Sequence, residues 1–197
     1  MDYRINTKSG KPEQLLREEI EMQKSLKDIE LRMPLFMRDY FIFLRGSVSP
    51  ATALAYAGDL EFFFTYLLTE TRFSKAEKMK DLTLEELNQL RARDLNEFIG
   101  DYCRRYYKEI DGQMHVFENN NTSLARKRSS LSSLFRFLYR NEQLSEDLSG
   151  GLNPIRMPKP QPDAIKRLHE DEILDLLHIV ETGEGLSDRE RIYWEKT

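Results

Sequence analysis

Residues 121–140, NTSLARKRSSLSSLFRFLYR, constrain this chain more than any other stretch. At 100° per residue, Leu124, Leu131, Leu134, Phe135 and Leu138 fall on one side of a helix. Arg126, Ser129, Ser133, Arg136 and Arg140 fall on the other. The apolar side must bury against a partner. The opposite side is basic, and its middle positions are serines, too short to hold a flat surface away. Asn121 or Thr122 is the expected N-cap. Arg126, Lys127 and Arg128 then crowd the first turns, where the helix dipole disfavours cations by a few tenths to ~1 kcal/mol each. An anion docked at that end would offset the cost, because the free N–H groups already point there. A phosphate backbone fits; a solvated basic face is the plainer alternative.

The rest of the chain supplies a core. Hydrophobic residues make up 40% and include 11 Phe and 9 Tyr, which excludes a disordered chain. Gly and Pro are few and no convincing run of alternating strand residues occurs, so the expected class is all-α. The net charge of −4 by itself argues against nucleic acid. Its distribution argues the other way: residues 121–168 carry +5 and the remainder −9. Cys103 is the only cysteine, which rules out an internal disulfide and fits a cytoplasmic protein. The opening MDYRINTKSGK lacks the apolar core of a signal peptide, and the most apolar run, Phe62 to Leu68, is too short to span a bilayer. No membrane association is expected.

Residues 1–12 read as a tail, followed by an amphipathic helix from Pro12 or Glu13 to about Leu31 with an acidic exposed side. Pro34 marks the first turn of a very apolar helix that stops at Gly46. Ser49 and Pro50 form a clean N-cap and N1 pair for a helix reaching about Glu70. Ala53, Tyr56, Ala57, Leu60, Phe63, Phe64, Leu67 and Leu68 give it a core stripe. Ser49, Thr52, Ala55 and Asp59 face away from that stripe, small or polar. Such a helix start suits close approach to a groove as well as it suits plain capping. A short turn surrounds Leu84 and Leu87, and a full helix is expected from Arg91 to Lys108, with Cys103 packed inside. Asp111-Gly112 signals a turn, and Gln113 to Phe117 is either a small hairpin or a loop. After Arg140, Gly150-Gly151 and Asn153-Pro154 terminate the module; MPKPQP at 157–162 is an extended linker carrying Lys159, with Lys166 and Arg167 beyond it. A new helix starts at His169.

Catalytic signatures are missing: no Walker loop, G-x-G-x-x-G, H-E-x-x-H, C-x-x-C or G-x-S-x-G occurs. His115, His169 and His178 lie apart, so neither a metal nor a cofactor is expected. Binding is the stronger reading.

Two stretches carry a family resemblance. Ser49-Pro-Ala-Thr52-x-x-x-Tyr56-x-x-Asp59-Leu60-x-x-Phe63 is one. Thr122-Ser-Leu-Ala-Arg126-Lys-Arg-Ser129-Ser-Leu131-x-x-Leu134-Phe135-x-Phe137-Leu138 is the other. Together with NPI, MPKPQ and LHEDEI in that order, they resemble the N-terminal half of tyrosine recombinases of the phage-integrase and Xer type. The resemblance covers roughly Pro34 to Val180. It implies a SAM-like core-binding domain, an orthogonal four-to-five-helix bundle, here with an extra N-terminal helix. The implied organisation is tail and extra helix at 1–32, core-binding domain at 33–156, linker at 157–168 and the start of a catalytic domain at 169–197. It also implies half of a clamp around duplex DNA, and a tetramer on DNA in the full-length enzyme.

By the same resemblance, Thr52 and Ala55 on one helix and Thr122, Ser123 and Arg126 on the other approach the major groove; Ser49, Ser129 and Ser130 at the same helix starts are also expected to meet DNA. Phosphate contacts are expected from Lys127, Arg128, Lys159, Lys166 and Arg167. Arg126 is the candidate base reader, while Arg136 and Arg140 lie turns away from that end and are expected to be solvated. The sequence departs from the family at the catalytic residues. His115, His169 and His178 are each followed three residues on by a glutamate, so H-x-x-R is absent. Ser187–Thr197 stops short of the family's first catalytic arginine. No strand-transfer activity is expected of this chain alone. A helical protein-interaction module without DNA recognition is the alternative, motivated by the Phe- and Tyr-rich helix at Leu35 to Leu44.

Overall fold

The computed structural model describes residues 10–71, 73–157 and 169–187, together with Arg191 and Trp194. The chain divides into two compact units, Met1–Met157 and Pro158–Thr197. The first contains helices α1 (Glu13–Glu30), α2 (Met37–Ser47), α3 (Pro50–Thr69), α4 (Leu84–Leu87), α5 (Ala92–Glu97) and α6 (Asn121–Arg140), and a hairpin of β1 (Arg105–Ile110) and β2 (Gln113–Glu118). Among the described residues of the second, α7 (Glu170–Thr182) is the main element. Among the described residues no helix is long and apolar enough to cross a membrane.

Local rules account for most helix ends. Ser49 caps α3 by accepting from the Thr52 amide at 3.2 Å, with Pro50 at the first helical position. The apolar α2 starts later than Pro34 suggested: the Pro34 carbonyl accepts from the Met37 amide in a preceding turn. Helix α6 is capped one residue before the expected position. Asn120 Oδ1 accepts from the Ser123 amide at 2.9 Å, so Asn121 and Thr122 are helical residues. Thr83 and Glu86 form a reciprocal capping box that makes α4 a defined turn despite its length.

The expected helix from Arg91 to Lys108 does not exist as one piece. After α5 the backbone widens over Phe98–Tyr102, where the Cys103 amide donates to the Phe98 carbonyl five residues back. The chain then enters the antiparallel hairpin, with Tyr106 opposite Phe117 and Ile110 opposite Gln113. Asp111 and Gly112 both take positive φ (51° and 76°), the geometry a two-residue hairpin turn requires. The fold is therefore mostly helical with a two-stranded sheet, not all-α. The hairpin is held at its root by rings: Tyr106 stacks on Phe117 at 5.2 Å and meets Phe62 of α3 at 4.8 Å.

The core forms where α6 crosses α3. Leu124, Leu131, Leu134, Phe135 and Leu138 are all buried, as the helix periodicity requires. At roughly 1.5–3 kcal/mol per fully buried large apolar side chain, this face is what holds α6 in place. Phe63 of α3 bridges Phe98 (5.0 Å) and Phe135 (6.2 Å). Helix α1 packs on α3 through Leu26 and Ile29, and leaves Leu15 and Ile20 exposed. The segment after α6 is tied down by two asparagines. Asn88 accepts from the Ser145 amide, and Asn96 joins the Gly151 carbonyl (2.9 Å) to the Asn153 amide (2.7 Å).

Candidate nucleic-acid interface

The centre of the predicted interface is an ion-paired crossing that sequence reasoning missed. Asp59, expected on the outer side of α3, is 3% exposed. Its Oδ2 accepts from Arg126 Nη1 at 2.5 Å and its Oδ1 from Lys127 Nζ at 2.9 Å. Arg126 Nη1 also donates to the Ala55 carbonyl at 3.0 Å, and Lys127 Nζ sits 4.8 Å from the Phe62 ring centroid. A buried carboxylate is tolerable only when paired and hydrogen-bonded, and here two cations share it. The anion that the crowded cations of α6 called for is thus supplied, at least in part, by α3. One signal for this was available: an acid between the core residues Ala57 and Leu60, in a chain with an Arg-Lys-Arg run to neutralise.

The two cations are not equivalent. The Lys127 side chain is 11% exposed and the Arg126 side chain 42%. Only Nη1 of Arg126 is engaged, leaving Nε and Nη2 without a partner among the described residues. Arg128 turns the other way along α6 and donates to the carbonyls of Asn153 (2.8 Å) and Leu152 (3.0 Å). Asn121 Nδ2 reaches the Arg156 carbonyl at 2.7 Å. Both side chains therefore fasten the segment leading out of the first unit to the N-terminal half of α6.

The smaller predicted residues separate in the same way. Ser49 and Thr122 are exposed; Thr52, Ala55 and Ser123 are half-buried. The Ser49 and Thr52 hydroxyls lie 2.9 Å apart. Ser129 is exposed and donates to the Ala125 carbonyl. Ser130 is fully buried and donates to the Lys127 carbonyl, so it faces the core and reaches no surface. Arg126 joins Ala55 on α3 to the first turns of α6, which brings the two sets of small residues to one junction. Lys159, Lys166 and Arg167 lie outside the described residues. Cys103 packs behind the junction, where burial pushes its thiol up to about 12, far from a reactive thiolate.

The junction offers hydroxyls, a helix start and one half-free guanidinium, which suits recognition of a polar, anionic surface.

The phage integrase N-terminal SAM-like domain matches residues 37–142. The chain is 29% identical over 153 residues to the tyrosine recombinase XerD of Haemophilus influenzae, covering 78% of this chain and 41% of that protein. It is 27% identical over 170 residues to XerD of Pasteurella multocida, covering 86% and 47%. The chain thus spans less than half the length of these curated relatives. No solved structure matches it.

Proposed function

The chain belongs to the phage-integrase N-terminal SAM-like domain family, and on that premise we propose that residues 33–156 grip duplex DNA as the core-binding part of a tyrosine site-specific recombinase. The observation that carries the proposal is the α3–α6 junction. Asp59 neutralises Lys127 and, with the Ala55 carbonyl, holds Nη1 of Arg126, leaving Nε and Nη2 without a partner among the described residues. Two donors on a planar fork match O6 and N7 of guanine in the major groove. Ser49, Thr122 and Ser129 are short enough to let a groove wall approach, and their hydroxyls serve phosphates. Lys127 and Arg128 act as positioning residues through Asp59 and the 152–153 carbonyls. Phosphate contacts further along come from Lys159, Lys166 and Arg167. In the whole protein the domain closes on DNA as part of a tetramer.

A band-shift titration against duplexes selected from a random pool tests this. Arg126→Ala should relax preference at one base pair by roughly 1–3 kcal/mol while leaving non-specific binding largely in place. Negligible binding to any duplex at low salt would sink the proposal. The exposed Leu35 just before α2 and Ile42 and Phe43 on it favour a second reading, a protein-docking module. That reading predicts partner binding that Arg126→Ala leaves untouched.

A further inference from the structure

The hairpin carries a recognition surface that the DNA proposal does not use. Its register fixes which backbone groups lack partners. Ile110 and Gln113 close a two-residue turn, so they form a hydrogen-bonded pair, and such pairs alternate from there. Lys108 with His115 and Tyr106 with Phe117 are the next, and the Asn119 amide donating to the Arg104 carbonyl at 3.1 Å continues the series. The N–H and C=O groups of Arg105, Tyr107 and Glu109 therefore point to the outer edge of β1, where no strand pairs with them among the described residues. An open edge of this kind is a template for an added strand.

Two hollows flank that edge. One, of about 520 Å³, lies between α3 and β1 and is lined by Thr65, Thr69 and Glu70 together with Tyr107, Lys108 and Glu109. The other, of about 550 Å³, is bounded by Tyr66, Glu70, Glu97, Asp101, Tyr102 and Tyr107. Tyr107 is 62% exposed and lines both. Glu70, Glu97, Asp101 and Glu109 have no ion-pair partner among the described residues. Of the cations lining the hollows, Arg105 is held by Glu118 at 3.2 Å, which leaves Lys108 as the unpaired one among the described residues. Burial first, and then Glu97 and Asp101, push the Tyr66 hydroxyl above its usual range; burial and then Glu70 do the same for Tyr102. The surface beside the open edge is thus tyrosine-lined and negative.

We infer that the free edge of β1 receives an extended, lysine- or arginine-bearing segment of a protein partner, its backbone paired to Tyr107 and Glu109 and its cations seated on the tyrosine rings beside Glu70, Glu97 and Asp101. The edge supplies main-chain bonds, and the hollows read the side chains of the added strand. A cation gains from the ring faces and from the carboxylates at once. Nucleic acid does not suit the surface: phosphates would meet unpaired carboxylates, and none of the residues proposed to contact DNA lines either hollow. A second copy of the chain does not suit it either. Two β1 edges brought together would crowd Glu70, Glu97 and Asp101 of both chains, like charge against like.

The test titrates the 197-residue chain with a short labelled peptide of alternating Thr and Lys. One control has Glu for Lys; the other is the Lys peptide N-methylated throughout, which has no amide to donate to the edge. Fluorescence anisotropy should show the Lys peptide binding about tenfold tighter than either control. Glu97→Gln with Asp101→Asn should weaken the Lys peptide about tenfold and leave duplex affinity within about twofold. Glu97→Gln alone serves if the double variant loses its helical circular dichroism. Equal binding of the Lys and Glu peptides, equal binding of the methylated peptide, or Lys-peptide binding that ignores the substitutions overturns the inference. So does a loss of duplex affinity with peptide binding intact, which assigns the surface to nucleic acid. Sedimentation of a dimer that excludes the Lys peptide assigns the edge to a second copy and overturns it as well.

Discussion

At the scale of single residues, Asp59 is the one on which the junction depends. Removing one partner of a buried ion pair leaves an uncompensated charge and typically costs about 3–5 kcal/mol. Asp59→Ala strands the nearly buried Lys127 and should lose about 3 kcal/mol in urea unfolding. Arg126→Ala leaves Lys127 still paired and the guanidinium was half solvated, so its loss should be clearly smaller. Equal losses would show that the carboxylate is not the shared anchor. Gly151 matters for a different reason. A Cβ there would stand 2.5 Å from Ala92 Cβ, well inside contact distance. Gly151→Ala should therefore lower stability by roughly 1–3 kcal/mol through overpacking, and Ala92→Gly should restore much of it. Failure of that rescue would place the strain elsewhere. Neither contact was legible in the sequence, because each joins residues more than 50 positions apart.

Among the elements, α4 survives on its cap. Burial alone would raise the Glu86 carboxyl, but hydrogen bonds from Ser74 and from the Thr83 amide outweigh it and hold the group below its usual range. A carboxyl depressed in the folded state stabilises fully above its unfolded pKa, 4.5 here, and the stabilisation is lost as pH falls toward the folded value. Wild type should therefore exceed Glu86→Gln in stability at pH 7, and the gap should narrow as pH falls below 4.5. A gap that is constant with pH would mean the charge plays no part. The long helices were readable in advance because α3 and α6 carry strong caps and an apolar face at helical spacing. The hairpin was not. Most of its side chains are exposed, so β1 and β2 show no alternation of apolar and polar residues. Only the Asp111-Gly112 turn betrayed it, and Tyr102 and Tyr106 sit at a spacing that equally suits a continuing helix.

For the molecule as a whole, a net charge of −4 and a +5 segment have opposite consequences. On the proposed function, overall repulsion should keep non-specific DNA affinity low, while the basic segment should concentrate the attraction. If Lys159, Lys166 and Arg167 neutralise about three phosphates, affinity should fall about fortyfold between 50 and 200 mM salt, with a log–log slope near −2.7. A slope near zero would mean that phosphates are not being contacted, and would leave only the protein-docking reading of α2.

The sequence by itself determined that α1, α3 and α6 are helices, the apolar stripe by which α3 and α6 pack, and which basic run accompanies small residues at helix starts. Those properties are local, set by periodicity and capping chemistry within a few residues. What only the tertiary structure decided was the assignment of the charges. Arg126, Lys127 and Arg128 are equivalent by spacing and composition, yet one is half free, one is paired to a buried acid and one holds the outgoing chain. That division depends on which backbone and carboxylate each meets where α3 crosses α6, and a crossing is a property of packed elements rather than of any one of them.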